Sequence, residues 1–126
     1  MKKNRPTNVK LIDLFAFAFP VTAISSILHR ASGILLFIFV PFCLWLLQLS
    51  MTGEGFNQVQ QILSGSLAKA IQWLILSLLA YHIIAGVRHL FMDAGIGETE
   101  KSGRFSAYLV MFLGVLSAAL IGVWIW

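Results

Sequence analysis

Two short stretches of this sequence hold side chains that can do chemistry. In Ser25 to Gly33, which reads S-S-I-L-H-R-A-S-G, Ser26 and Arg30 stand four residues apart, with His29 and Gly33 on the same side of a helix. A hydroxyl, an imidazole and a guanidinium presented together suit a ligand with carbonyl or carboxylate oxygens. Ser and Arg donate hydrogen bonds to such oxygens, and Arg stabilises negative charge that develops on them. A basic helix end facing anionic lipid headgroups accounts for the same residues.

In the second stretch, Tyr81 to Asp93, His82, Gly86 and His89 recur at intervals of four and three, which returns them to one helical face. A neutral imidazole inside a bilayer needs a hydrogen-bond partner on a neighbouring helix or a metal, and heme iron is such a metal. Gly86 leaves a notch without a side chain where a flat macrocycle could lie. His82 and His89 cannot share one iron: seven residues rise about 10.5 Å, whereas each nitrogen of a bis-histidine site lies about 2 Å from the metal. His29, placed near the cytoplasmic start of its helix, is expected to be too shallow to face His82, so a second axial ligand is expected from another chain. Arg88 and His89 lie near a membrane edge, where snorkelling to the surface accounts for Arg88 and competes as a reading of His89.

Side chains at such depths need lipid-embedded elements to hold them. Of the 126 residues 59% are hydrophobic and 11% are charged, which excludes an ordinary soluble domain. A span needs about 20 apolar residues to cross roughly 30 Å of hydrocarbon. Three segments qualify, residues 27–49, 67–92 and 105–126. The intervening stretches, residues 50–66 and 93–104, read as loops, so residues 1–126 form a single membrane domain. His82 falls about 15 Å from one end of the second span, near mid-bilayer.

The net charge of +4 is not a nucleic-acid signal, because Lys2, Lys3, Arg5 and Lys10 crowd the first ten residues beside an apolar segment. With Arg88, Lys101 and Arg104 at the second loop, the excess places the N-terminus and that loop in the cytoplasm and the C-terminus in the periplasm. Trp45, Trp73, Trp124 and Trp126 then all approach the outer interface. Asp13 and Pro20 interrupt the apolar run after the basic arm, so the N-terminus is read as retained and the address as a bacterial cytoplasmic (inner) membrane. Gly114, Ala118 and Gly122 form a small-residue stripe for helix packing, and Cys43 is a lone apolar-run residue.

The elements R-P (Arg5, Pro6), F-P (Phe19, Pro20), S-I-L-H-R-x-S-G (Ser26 to Gly33) and Y-H-x-x-x-G-x-R-H-L-x-x-D (Tyr81 to Asp93) together resemble the cytochrome b subunit of succinate dehydrogenase. The resemblance implies an all-α integral membrane fold whose three transmembrane helices pack with a second small anchor subunit into a bundle. It implies one heme b, with His82 as an axial ligand to its iron and a histidine of the second anchor subunit as the other. Ser26 and Arg30 match residues lining a ubiquinone pocket. His29, Arg30 and His89 fall in the heme propionate region, and Asp93 matches an acidic residue that could deliver protons.

The other partners implied are an iron–sulfur subunit and a flavoprotein subunit, which oxidise succinate and pass electrons to quinone in the tricarboxylic acid cycle and respiratory chain. This chain has one cysteine and no dinucleotide fingerprint, so alone it is not an enzyme. Two other readings stay open: the anchor of a fumarate reductase, and a non-redox membrane protein such as a channel or assembly component.

Overall fold

The computed structural model describes residues 19–126, which are helical, with turns and no strand. The basic arm with Lys2, Lys3, Arg5 and Lys10, together with Pro6 and Asp13, lies outside the described residues. Among the described residues four helices follow one another: α1 Val21–Ser50, α2 Gly53–Ser64, α3 Ser66–Asp93 and α4 Glu100–Ile125. Helices α1, α3 and α4, of 30, 28 and 26 residues, are long and apolar enough to cross a membrane.

Two expected helix starts move outward, for a physical reason. Hydropathy marks where hydrocarbon begins, whereas backbone capping marks where a helix begins. Helix α1 starts six residues before the expected Ile27, behind Pro20, whose extended φ of −62° and ψ of 147° place it just outside the first turn. Helix α4 starts five residues before Phe105, because the Thr99 hydroxyl accepts from the Ser102 amide at 3.3 Å and Glu100 sits in the positive first turn.

The first loop also differs from expectation, since it contains helix α2. Thr52 caps it by accepting from the Gly55 amide at 3.1 Å. Its Phe56, Val59, Ile62 and Leu63 repeat at helical spacing among glutamines and Asn57. Val59 is buried. An average over this stretch hides the apolar stripe.

The second connection is short because α3 ends in a tight C-terminal motif. Gly95, at φ 78°, takes the left-handed conformation; its amide donates to Met92 O, and the Ile96 amide donates to Phe91 O, both at 2.9 Å. Helix α4 can therefore begin at Glu100 and run back beside α3.

Burial in this structure is the reverse of that in a soluble domain. The buried positions of the long helices are small or polar: Ser25 and Ser32 in α1, Ala85 and Arg88 in α3, and Gly103, Ala107, Val110 and Gly114 in α4. Large apolar residues point outward, among them Phe37, Leu67, Val115 and Val123. Small residues let helices approach closely where lipid removes any hydrophobic drive for them to associate.

The expected stripe on α4 packs in this way. A Cβ on Gly114 would stand 2.6 Å from Cδ2 of Tyr81, and one on Gly122 would stand 3.3 Å from Nε1 of Trp73. That same indole N–H donates to the Ala118 carbonyl at 2.8 Å. Nearer the other end of α3, Arg88 Nε donates to Ser106 Oγ at 2.9 Å and Nη2 to Gly103 O at 3.3 Å. The snorkelling expected of Arg88 is thus overturned: it is only 7% exposed and cross-links α3 to α4.

Candidate functional site

Helices α1 and α3 run antiparallel, and their register sets which side chains meet. Ser32 stands eleven residues after Val21, and His82 eleven residues before Asp93, so both lie about 16 Å from the same end of the bundle. Within α1, His29, Ser32 and Gly33 share a face by their spacing of three and four. His82, Gly86 and His89 share one on α3, and the two faces meet.

The contacts are close. Ser32 Oγ lies 2.9 Å from Nδ1 of His82, and its hydroxyl donates to the His29 carbonyl at 2.7 Å. That carbonyl lies 3.2 Å from the same Nδ1. Ser32 is 2% exposed, so solvent does not compete for these bonds. Gly33 leaves room opposite: a Cβ there would stand 3.0 Å from Cε1 of His82, so the ring would have to shift slightly to accept one.

His29 does face His82, contrary to the expectation that it would be too shallow. Their ring centroids are 4.2 Å apart with planes inclined by 20°, a stacked pair. The expectation failed because α1 begins at Val21, which sets His29 deeper than a start at Ile27 would. The notch at Gly86 is also occupied differently, by the imidazole of His29, whose Nε2 would lie 3.5 Å from a Cβ there. This Nε2 is buried and has no hydrogen-bond partner among the described residues. On the other side His89 lies against His29, centroids 4.9 Å apart and planes at 51°.

The structure therefore brings three of the expected residues together, His29, His82 and His89. Ser26 is half-buried one turn before Arg30, while Arg30 and Asp93 are exposed. Arg30 and Asp93 lie toward the end of the bundle that carries the start of α1 and the close of α3. Tyr81, beside His82, adds a tie that the sequence reading did not include, its hydroxyl donating to Ser25 O at 3.1 Å. Ser32 was also missed. Its signal was present, as it follows His29 by three residues on the face that turns toward α3.

A stacked pair of half-buried imidazoles, with a third tilted against it, offers single nitrogen donors to a soft or borderline metal, though among the described residues no group of three or more side chains could itself hold an ion. An exposed guanidinium one turn from a hydroxyl offers donors to an oxygen-bearing ligand. Comparison with known proteins places this site in context. Residues 1–121 match the family model described as succinate dehydrogenase/fumarate reductase transmembrane subunit. The succinate dehydrogenase cytochrome b556 subunit of Coxiella burnetii is 41% identical, over 100% of both chains. The subunit of the same name from Paracoccus denitrificans is 33% identical over 85% of this chain and 82% of its own. That from Rickettsia prowazekii is 31% identical over 82% and 81%.

Proposed function

The chain belongs to the succinate dehydrogenase/fumarate reductase transmembrane subunit family, as a cytochrome b anchor subunit of succinate dehydrogenase, and from that membership we propose that it supplies one axial ligand to a b-type heme and part of a ubiquinone site. His82 is the ligand in this reading. Ser26 and Arg30 line the quinone pocket.

The observation that carries the reading is the way His82 is held. Both polar contacts of its ring are made at Nδ1, by Ser32 Oγ and His29 O, while Nε2 has no hydrogen-bond partner among the described residues. A ring tethered by one nitrogen in the interior of a membrane bundle fits the donor requirements of iron. The buried, unpartnered Nε2 of His29 adds a second polar atom that a cofactor's polar groups would satisfy.

His29 lies alongside His82, stacked face to face, so in this reading the two rings would not share one metal. The opposing histidine comes from the second small anchor subunit. His29 and His89, with Arg30, serve the propionate side instead. When bound, the heme supplies a one-electron acceptor and donor inside the bilayer.

At the quinone, Ser26 donates a hydrogen bond to a ring oxygen, and Arg30 stabilises the negative charge that builds on the ring as electrons arrive from the iron–sulfur subunit. The exposure of Arg30 leaves its guanidinium free to face a pocket completed by partner subunits. Asp93, exposed where α3 closes, is placed to relay protons from the cytoplasm. The complex oxidises succinate at its flavoprotein subunit, with this whole chain acting as one anchor domain in a bacterial inner membrane, N-terminus inside and C-terminus in the periplasm.

The test is spectroscopic. In the complex purified from membranes, His82→Leu should abolish or alter the dithionite-reduced heme spectrum. A spectrum identical to wild type would reject the ligand assignment.

A further inference from the structure

Nothing in the family resemblance gives Ser32 a role, yet among the described residues it and Ser25 are the largest fully buried side chains. Its hydroxyl has one proton to give. The His29 carbonyl, 2.7 Å away, can only accept, so the proton points there. Toward Nδ1 of His82 at 2.9 Å the same oxygen can therefore offer only a lone pair. The second neighbour of that nitrogen, the His29 carbonyl at 3.2 Å, is an acceptor as well.

From these contacts we infer that Ser32 is a positioning residue that fixes His82 as the Nδ1–H tautomer and so aims the lone pair of Nε2 at the heme iron. This rests on the heme-ligand reading above and adds to it the group that selects the tautomer. In the opposite tautomer Nδ1 would bring a lone pair against two acceptors inside a nearly water-free site, and Nε2 would carry the proton where iron must bind. Gly33 completes the seat, since its missing side chain allows the ring to approach α1 closely enough to make the bond.

Donation from Nδ1–H also makes the opposite nitrogen more basic, which favours ferric over ferrous iron. Loss of the Ser32 hydroxyl, which leaves Nδ1 only the longer contact to the His29 carbonyl, should raise the reduction potential of the heme and loosen its binding. Outer-shell partners of metal ligands typically contribute about 10- to 100-fold in affinity. In a one-electron couple each tenfold change in relative preference corresponds to about 59 mV.

The experiment compares Ser32→Ala, Ser32→Thr and His82→Leu in the whole complex, by redox titration of the heme spectrum and by the rate of heme loss to excess apomyoglobin. Ser32→Ala should shift the potential upward and release heme roughly tenfold or more faster. Ser32→Thr, which keeps a hydroxyl able to make the same backbone bond, should lie closer to wild type in both. Should the alanine variant not assemble, Ser32→Cys, a weaker acceptor of similar shape, should move the potential in the same direction. An unchanged potential in the alanine or cysteine variant, or a threonine variant no closer to wild type than alanine, overturns the inference. If His82→Leu is colourless meanwhile, the heme-ligand reading survives that failure. If His82→Leu keeps the wild-type spectrum, the reading itself has failed.

Discussion

His29 and His82 stack with their ring centroids 4.2 Å apart, one from α1 and one from α3. The pair joins the two sequence stretches that carry chemistry, and it assigns the two imidazoles unequal places. His82 is anchored at Nδ1 by two groups of α1, whereas His29 has a buried nitrogen with no partner among the described residues and lies between His82 and His89.

That inequality gives the first expectation. His29→Leu should leave a heme spectrum while shifting its potential or band position, in contrast to His82→Leu. The backbone carbonyl of residue 29, which holds Nδ1 of His82, is untouched by the substitution. Complete loss of heme from His29→Leu, measured in the purified complex, would assign it the ligand role instead.

If Arg30 lines the quinone pocket as proposed, its loss separates quinone chemistry from succinate oxidation. Arg30→Ala should lower succinate–quinone reductase activity by about a hundredfold, the usual loss when a donor to developing negative charge is removed. Succinate oxidation with an artificial soluble acceptor should persist. Equal loss in the two assays would mean that the residue supports assembly.

Between α3 and α4, Gly114 packs directly against the Tyr81 ring. A Cβ there would fall 2.6 Å from the Tyr81 ring, so Gly114→Ala should destabilise the helix pair by about 1–3 kcal/mol. Tyr81→Leu in the same chain should recover part of that loss by making room. Thermal unfolding in detergent of the two single variants and the double variant reads the coupling, and strictly additive losses would show that the ring does not meet residue 114.

Arg88 makes the second α3–α4 tie. Arg88→Leu removes both of its hydrogen bonds, but Ser106 Oγ keeps its own bond to Gly103 O at 3.1 Å, so no hydroxyl is stranded. The expected cost is about 1–2 kcal/mol in stability, with the heme spectrum unchanged. A colourless Arg88→Leu complex would instead connect this residue to the cofactor.

The hydrophobic pattern was enough to read three crossings, because runs of about 20 apolar residues have no other common explanation. Their starts were not readable from it. Val21 to Ser26 mix polar with apolar residues and Glu100 to Arg104 are charged or polar apart from Gly103, and capping by Pro20 and Thr99 decides where the chain turns helical. The error at α1 then carried into the site, since a helix begun at Ile27 leaves His29 too near the surface to meet His82. Helix α2 escaped because its apolar residues are diluted by Gln58, Gln60 and Gln61. His29, His82 and His89 were all legible as candidates in the sequence, and the structure sets His29 against each of the other two. It could not show that Arg88 turns inward, because a charge near a membrane edge is compatible with either direction until a partner helix is known.

The matched depths of Ser32 and His82 turn chain length into a functional quantity. Adding a single residue to α3 between Ala85 and Asp93 would swing everything on one side of it by about 100° and slide it by about 1.5 Å, carrying the imidazole off its seat although no side chain had been replaced. Spacing in these two helices is thus as consequential as composition, and tolerated gains or losses of residues belong in the turns at either rim.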